Sequence, residues 1–186
     1  MRIRHATPED AAGCLEIYAP FADATAVSFE ARAPTPEAFA QRIVRVSRTH
    51  AFLVAEHDGS VTGFAYAGVH RERDAYRWAC EVSVYLAAQA RGRGLGRALY
   101  GTLLDLLERQ GYRVALAGVS LPNEASERLH RSLGFEPVGV YRRIGWKAGA
   151  WRDVMWLSRP LGAGGEDDGP PPPPSSPARL SHAIEL

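Results

Sequence analysis

The stretch that decides the fold is Arg91-Gly92-Arg93-Gly94-Leu95-Gly96-Arg97, in which three glycines occupy alternate positions directly before an apolar helical pattern. One stripe of that helix carries Leu95, Leu99, Leu103 and Leu106, and Gly111 is placed to end it. Glycines leave backbone N–H groups uncovered, and the first turn of a helix offers unpaired donors at the positive end of its dipole. The loop therefore predicts an anion site, with a purely structural turn as the open alternative.

Two other phosphate-binding motifs fit these residues poorly. A P-loop requires Lys and then Ser or Thr after its last glycine, whereas Arg97 and Ala98 stand there. The dinucleotide-binding fingerprint requires a further glycine where Leu99 stands, and it normally follows the first strand of a parallel unit. This loop instead lies in the middle of the chain. Both alternatives are therefore disfavoured.

Hydrophobic periodicity around the loop predicts an α/β domain of the α+β type. Strands are expected at residues 3–6, 51–56, 61–69, 78–86, 113–120, 138–146 and 151–159, and helices beginning at Thr7, Thr35, Leu95 and Asn123. The resulting order, β-α-α-β-β-β-α-β-α-β-β, lacks the regular alternation of a parallel sheet. A mixed sheet is therefore expected.

Composition excludes several functional classes. The 186 residues carry a formal net charge of +1, which gives no reason to expect a nucleic acid as partner. No apolar run reaches the roughly 18 residues needed to span a bilayer, and the N-terminal residues lack the apolar centre of a signal peptide. Cys14 and Cys80 show no metal-ligand spacing. We expect a metal-free protein of the cytoplasm with no membrane contact.

The composition changes abruptly after Leu161. Residues 162–169 are glycine, alanine and acidic residues, and residues 170–174 are a run of prolines. Such a segment cannot bury enough apolar surface to offset the entropy lost on ordering it. We therefore expect one folded domain, residues 1–161, and a disordered Gly/Pro-rich tail, residues 162–186.

Several motifs in the predicted domain resemble those of one enzyme superfamily. Arg91-x-x-Gly94-x-Gly96 resembles the acetyl-CoA motif of the GNAT acetyltransferases, whose loop amides hold the coenzyme pyrophosphate. The closer similarity is to the phosphinothricin and methionine sulfoximine acetyltransferase group. It is carried by Val27-Ser28-Phe29, Arg73-Asp74-Ala75-Tyr76-Arg77-Trp78, Glu81-x-Ser83-Val84-Tyr85, Ala117-Gly118, Leu129-His130-x-x-x-Gly134-Phe135 and Gly149-x-Trp151-x-Asp153. The resemblance implies the GNAT fold, a mixed and mostly antiparallel sheet flanked by helices.

The resemblance also implies how acetyl-CoA would be held as cosubstrate. Besides the glycine loop, it assigns the strand after Glu81 and the start of the following helix to the coenzyme. The implied coenzyme-binding residues are Val82, Ser83, Val84, Tyr85, Arg91, Gly92, Arg93, Gly94, Leu95, Gly96, Arg97, Asn123 and Ser126. No metal is implied.

Two residues are candidates for acid–base chemistry. Glu81 is a carboxylate in an otherwise apolar strand, which on general grounds indicates a salt-bridged or edge-exposed residue. The resemblance instead implies the general base that accepts a proton from the attacking amine. His130 stands where many GNAT enzymes place a Tyr proton donor, and a coenzyme contact or structural role is an equal alternative. Cys80 is expected to be a buried small hydrophobe rather than a nucleophile.

Acceptor recognition is assigned by the same resemblance. Arg73 and Tyr76 would bind an anionic group of the acceptor, since a guanidinium can clamp a carboxylate or phosphinate, and Val27 and Phe29 would form an apolar wall. Arg71 is expected to be a solvated loop charge. The implied activity is acetylation of the primary amine of phosphinothricin, methionine sulfoximine or methionine sulfone.

Alternatives and departures from the group qualify this assignment. A different amine acceptor (a protein N-terminus, a lysine or an antibiotic) and a non-catalytic acetyl-CoA sensor are the alternatives. Ala148 replaces a bulkier residue common in the group, which removes volume near the expected acceptor region. Trp151 and Asp153 match a signature that shapes the site or packs a homodimer.

Overall fold

The computed structural model describes residues 1–162, 171–177 and 184–185. Within them the strands are β1 (Arg2–His5), β2 (Phe52–His57), β3 (Ser60–Val69), β4 (Ala79–Leu86), β5 (Val114–Ser120), β6 (Glu136–Lys147), β7 (Ala150–Pro160) and β8 (Ile184–Glu185). The helices are α1 (Ala11–Ala24), α2 (Pro36–Val46), α3 (Leu95–Gln110) and α4 (Glu124–Ser132). The predicted order of elements is confirmed over residues 1–161.

The strands form one sheet in the order β6-β7-β5-β4-β3-β2-β1-β8. Every neighbouring pair is antiparallel except β4 and β5, which run parallel. A parallel pair needs a crossover, and α3 supplies it, since this helix lies between the two strands in sequence. The predicted mixed, mostly antiparallel sheet flanked by helices is confirmed.

Helices cover the two faces of the sheet with separate apolar clusters. Alternate residues of β2 divide between them: Leu53 and Ala55 belong to the cluster under α3, whereas Phe52 and Val54 belong to the cluster under α1 and α2. Each of these four side chains is fully buried. The sheet therefore serves as a rigid platform packed on both sides.

The positions of α3 and its preceding loop follow from two glycines. Gly94 at the N-cap has φ +81° and Gly111 at the C-cap has φ +96°, a left-handed conformation that residues with a side chain rarely adopt. The helix begins and ends where these glycines predict. Its first turn consequently lies at the end of β4, beside the parallel pair.

The feature that opens the sheet is the short ladder between β4 and β5. Only three residue pairs are formed, from Ala79–Val114 to Glu81–Leu116, although both strands continue beyond them. After Glu81 the two strands diverge. Their unpaired edges face a gap in the middle of the sheet.

The described part of the predicted tail contacts the domain. Trp78 Nε1 donates to the carbonyl oxygen of Pro172 at 3.1 Å, and the Ser175 N–H donates to the carbonyl oxygen of Gln110 at 2.8 Å. A fully solvated segment would not form such contacts. The predicted disorder of residues 163–170, 178–183 and 186 concerns positions outside the described residues, and the domain boundary stays a prediction.

The described residues contain neither a membrane-spanning helix nor a cluster of metal ligands. No helix there is long and apolar enough to cross a bilayer. No group of three or more His, Cys, Asp or Glu side chains in this part of the chain is arranged to hold a metal ion. The cellular location stays a prediction.

Candidate active site

A cleft of about 670 Å³ opens on the sheet where β4 and β5 diverge. Glu81, the last residue of β4 that pairs with β5, lies in its wall, and β5 and β7 contribute Gly118 and Trp156. The remaining lining residues come from the segment after α1, from the loop that follows β3, and from the four strands β4 to β7. They are Val27, Ser28, Phe29, Glu30, Arg71, Val82, Ser83, Tyr85, Ser120, Tyr141, Ile144 and Val154. The wall of the cleft thus combines apolar with polar and charged side chains, Glu81 among them.

Glu81 is hydrogen-bonded to a histidine that the sequence analysis did not select. His70 Nδ1 lies 2.8 Å from Glu81 Oε1, and the side chains are 15% and 38% exposed. His70 follows the end of β3, and Gly68 is opposite Glu81 in the β3–β4 ladder. Only the register of that ladder brings the two residues together, so spacing along the chain carried no signal.

A narrower gap of about 60 Å³ continues from the cleft between β4 and β5. Residues predicted for the coenzyme line it from two sides: Val82, Ser83, Val84 and Tyr85 from β4, and Asn123 and Ser126 from the start of α4. The Asn123 side-chain oxygen accepts the Ser126 N–H at 3.2 Å, which caps α4. The structure therefore brings these six residues together around one opening.

The glycine loop lies at the N-terminus of α3. Gly92 and Gly94 have φ of +72° and +81°, and an added Cβ would meet no atom within 4 Å at either position. Conformation rather than space therefore requires these glycines. The first bond of the helix runs from the Ala98 N–H to the Gly94 carbonyl at 3.1 Å. The N–H groups of Leu95, Gly96 and Arg97 precede it and are available to an anion.

The three arginines of the loop differ in their surroundings. Arg91 donates from Nε and Nη2 to the Leu86 carbonyl, both at 3.2 Å, and its guanidinium lies 5.1 Å from the Phe21 ring centroid. Arg93 and Arg97 are exposed. Arg91 thus stabilises the loop itself, while Arg93 and Arg97 leave positive charge in solvent beside the helix N-terminus.

His130 is buried at the end of the gap, where both ring nitrogens are engaged. Nδ1 lies 2.7 Å from the Ser126 carbonyl oxygen, and Nε2 lies 3.0 Å from Tyr100 Oη. The carbonyl can only accept, so Nδ1 carries the proton and Tyr100 donates to Nε2. Burial lowers the pKa of His130, although the Ser126 carbonyl opposes this. The imidazole is therefore neutral, with its proton committed to the backbone.

Two of the residues predicted for the acceptor lie at the cleft and two do not. Val27 and Phe29 line it, with 40% and 44% of their surface exposed. Arg73 and Tyr76 instead line a second cavity of about 410 Å³, together with Pro173–Ser176. Neither residue lines the cleft, and their role in acceptor binding stays a prediction.

The arginine that lines the cleft with Glu81 is Arg71, which the sequence analysis expected to be a solvated loop charge. It is exposed, and its Nη1 donates to the His70 carbonyl oxygen at 3.2 Å. A 3₁₀ turn at Asp74–Tyr76 follows it in the loop between β3 and β4. Because Arg71 and Arg73 lie in one loop, their spacing could not indicate which of them faces the cleft.

Asp153 shapes the wall formed by β6. It accepts hydrogen bonds from Arg142 Nη1 and from the Arg143 N–H, both at 2.8 Å. These bonds lower the pKa of Asp153, that from the Arg143 backbone most. Arg143 has φ +49° and lies where the β6–β7 register shifts, between Tyr141 and Gly145. The bulge places Tyr141 and Ile144 in the cleft.

Cys80 is unsuited to nucleophilic catalysis although it precedes Glu81. It is fully buried, and its Sγ faces the Val114 carbonyl oxygen at 3.7 Å. Burial, with a smaller effect of Glu81, raises the pKa of its thiol to about 12. The thiol is therefore protonated at neutral pH.

Comparison with known proteins relates this arrangement to one family. The profile of the Acetyltransferase (GNAT) domain matches residues 3–156. The chain is 37% identical over 159 residues to the phosphinothricin N-acetyltransferase of Streptomyces viridochromogenes, covering 86% of this chain and 87% of the relative. It is 37% identical over 162 residues to the L-methionine sulfoximine/L-methionine sulfone acetyltransferase of Salmonella typhimurium, covering 87% and 95%.

A solved structure extends the comparison to the fold. The GNAT superfamily phosphinothricin acetyltransferase of Sinorhizobium meliloti, solved in complex with AcCoA, has a TM-score of 0.86 and 34% sequence identity. The match covers 91% of this chain and 92% of that one. The similarity thus includes both the sheet and the helices that surround the cleft, and the chain belongs to the GNAT acetyltransferase family.

Proposed function

We propose that this protein transfers the acetyl group of acetyl-CoA to the primary amine of a small amino-acid-like acceptor, such as phosphinothricin, methionine sulfoximine or methionine sulfone. The observation that carries the proposal is the position of Glu81, which lies in the wall of the wide cleft and directly precedes Val82, a residue that lines both the cleft and the narrow gap. The names of the relatives support the class of acceptor.

The gap and the glycine loop suit the two chemically different parts of acetyl-CoA. The N–H groups at the start of α3, with Arg93 and Arg97 beside them, suit the pyrophosphate. The unpaired edges of β4 and β5 offer backbone donors and acceptors to the amides of the pantetheine arm, much as an added strand would use them. The thioester would then reach the cleft near Glu81.

Glu81 acts as the base in a direct transfer. An acceptor that arrives as an ammonium ion gives one proton to the Glu81 carboxylate, and its nitrogen lone pair attacks the thioester carbonyl. The new N–C bond forms, the C–S bond breaks, and the departing thiolate takes up the proton held by Glu81, directly or through water, which gives free CoA and restores the carboxylate. The second nitrogen proton leaves to solvent, so each turnover releases one net proton. The Cys80 thiol is buried and protonated, so it is unsuited to forming an acyl-enzyme.

His130 supports the gap and does not supply the proton to the thiolate. Its Nδ1 proton is held by the Ser126 carbonyl, and its Nε2 accepts from Tyr100. Burial raises the pKa of Tyr100 well above its ordinary value, which keeps the phenol protonated as a donor. A thiolate with a pKa of roughly 8.5 leaves without an acid. His130 therefore fixes the start of α4 relative to α3.

Arg71 recognises the acceptor's anionic group. It lies in the cleft wall with Glu81, so a carboxylate on Arg71 would place the neighbouring amine toward the base. Val27, Phe29 and Ile144 provide apolar contacts for the acceptor side chain. Phe29 also packs tightly over Gly145, where an added Cβ would collide with its ring. The acceptor is therefore expected to combine a carboxylate with a compact side chain.

The decisive experiment replaces Glu81 with Gln, which keeps the shape of the side chain and removes its basicity. We expect kcat with methionine sulfoximine to fall about 10²- to 10⁴-fold while the affinity for acetyl-CoA stays unchanged. Thiol release gives the rate, and calorimetry gives the affinity. Glu108→Gln, on the exposed side of α3, is the matched control and should retain full activity. Full activity of Glu81→Gln would refute the proposed base.

We also propose that two chains associate through the edge strand β6. This strand ends the sheet and exposes Val138 and Trp146, which are 64% and 63% exposed, and Trp151 follows on β7. Exposed apolar side chains along a sheet edge are typical of an interface. Trp146→Glu should convert a dimer to a monomer in sedimentation, whereas Val69→Glu, at a similarly exposed residue, should not. A monomeric wild type would refute the interface.

A further inference from the structure

We propose that His70 is a positioning residue for Glu81: its Nδ1–H holds one carboxylate oxygen and so directs the other toward the acceptor amine. This inference rests on the proposed role of Glu81 as base. A carboxylate can only accept, so the 2.8 Å contact requires a proton on His70 Nδ1. Within the described residues, Oε1 has this one hydrogen bond and Oε2 has none.

Packing fixes the imidazole from two sides. The Tyr76 ring lies edge-on to it at 5.8 Å between centroids, and the Trp156 ring lies edge-on at 5.9 Å. Tyr76 belongs to the loop after β3 and Trp156 to β7, so two separate segments restrict the ring. A donor held this firmly loses little entropy when it forms the bond, and it limits the rotation of Glu81.

The geometry distinguishes this role from that of a bystander in the core. His70 holds Glu81 in place, in the way that other active sites use an additional residue to orient the catalytic one. His70 does not line the cleft, whereas Glu81 does. His70 therefore acts on the acceptor only through the carboxylate. Tyr76, which the sequence analysis assigned to acceptor binding, would act one step further away by holding His70.

An isosteric pair of substitutions tests the donor directly. In His70→Asn the amide nitrogen takes the place of Nδ1 and can still donate to Oε1. His70→Leu has the same branching at Cγ and no donor. We expect kcat to fall about 10- to 100-fold in His70→Leu, as for loss of a hydrogen bond to a charged group, and to stay within about threefold of wild type in His70→Asn. KM for acetyl-CoA should be unchanged in both.

A double-mutant cycle separates positioning from structure. In a Glu81→Gln background, with product measured by mass spectrometry, His70→Leu should lower kcat by less than about twofold, because the base that it positions is already absent. An equal loss in His70→Asn and His70→Leu, or a loss that persists undiminished in that background, would overturn the proposal. His57→Leu, at an exposed histidine at the end of β2, is the control and should match wild type.

The same set of variants distinguishes the two proposals. If Glu81→Gln retains full activity, the proposed base is wrong and the role of His70 falls with it. If Glu81→Gln loses activity but His70→Leu keeps wild-type kcat, the base stands and the positioning role alone is refuted. Thermal unfolding of each variant shows whether a loss of kcat reflects loss of fold.

Discussion

The proposed coenzyme side and acceptor side of the site are built differently. The coenzyme side consists of residues 91–97 with the starts of α3 and α4, and it presents mainly backbone N–H groups. The acceptor side consists of residues 27–30, the loop between β3 and β4, and the β6–β7 hairpin, and it presents side chains. Most of the first, from β4 to α3, is local in sequence and only the start of α4 comes from a later segment, whereas the second is assembled by the sheet from distant segments.

This difference has consequences for specificity. Backbone donors at a helix terminus require little beyond glycines with the correct φ, so many sequences can hold the same coenzyme. The acceptor side depends on which side chain of a loop turns inward, as Arg71 and Arg73 show. A few substitutions there would change which acceptor is bound and leave the binding of the coenzyme unchanged. The two sides should therefore respond separately to mutation.

The largest expected effect tests the acceptor side through its two arginines. Arg71→Ala should raise KM for methionine sulfoximine about 10- to 100-fold, because a charge-assisted pair with the carboxylate is lost. Arg73→Ala should change this KM by less than about threefold, since Arg73 lines only the second cavity, whereas Arg71 lines both. Initial rates over a range of acceptor concentrations measure both. A larger effect of Arg73→Ala than of Arg71→Ala would instead support the assignment of Arg73 to acceptor binding that was made from the sequence.

A smaller effect is expected from the coenzyme side. Gly94→Ala places a Cβ at φ +81°, which costs about 1–2 kcal/mol if the loop keeps its conformation. KM for acetyl-CoA should rise about 5- to 30-fold, while KM for the acceptor stays unchanged. Gly101→Ala is the control, since this helical glycine has open space around it and an ordinary φ. An equal change in both KM values would show that the two sides are coupled.

The same contrast explains what the sequence could predict. The glycine loop, the limits of α3 and the order of strands follow from local pattern, and they agree with the structure. Arg91 could not be assigned locally, because its guanidinium donates to the Leu86 carbonyl oxygen although the residue is exposed. His70 depends on the register of the β3–β4 ladder. The roles that sequence could not supply are those set by pairing between strands and by the direction of a loop side chain.

The smallest expected effect comes from a site that belongs to neither side. Asp10 binds the Arg4 guanidinium through both carboxylate oxygens at 2.7 Å, and it accepts the Thr7 N–H at 2.8 Å. Burial alone would raise the pKa of Asp10, but the bonds from Arg4 and Thr7 outweigh it and the pKa lies below its ordinary value. Asp10→Asn should therefore lower the free energy of unfolding by about 1 kcal/mol at pH 7.

The direction of the Asp10 pKa shift determines how the contribution of Asp10 to the free energy of unfolding depends on pH. Because the folded-state pKa is depressed, the contribution of Asp10 is complete above the unfolded pKa of roughly 3.9 and is lost as pH falls through the folded value. Urea unfolding of wild type and Asp10→Asn should therefore differ at pH 7 and pH 5 and converge as the pH falls below the depressed pKa of Asp10. A difference that persists at the lowest pH would assign the effect to packing. Both KM values should be unchanged at pH 7, because the β1–α1 corner supports the sheet as a whole; a change in one of them would mean that this corner positions that side of the site.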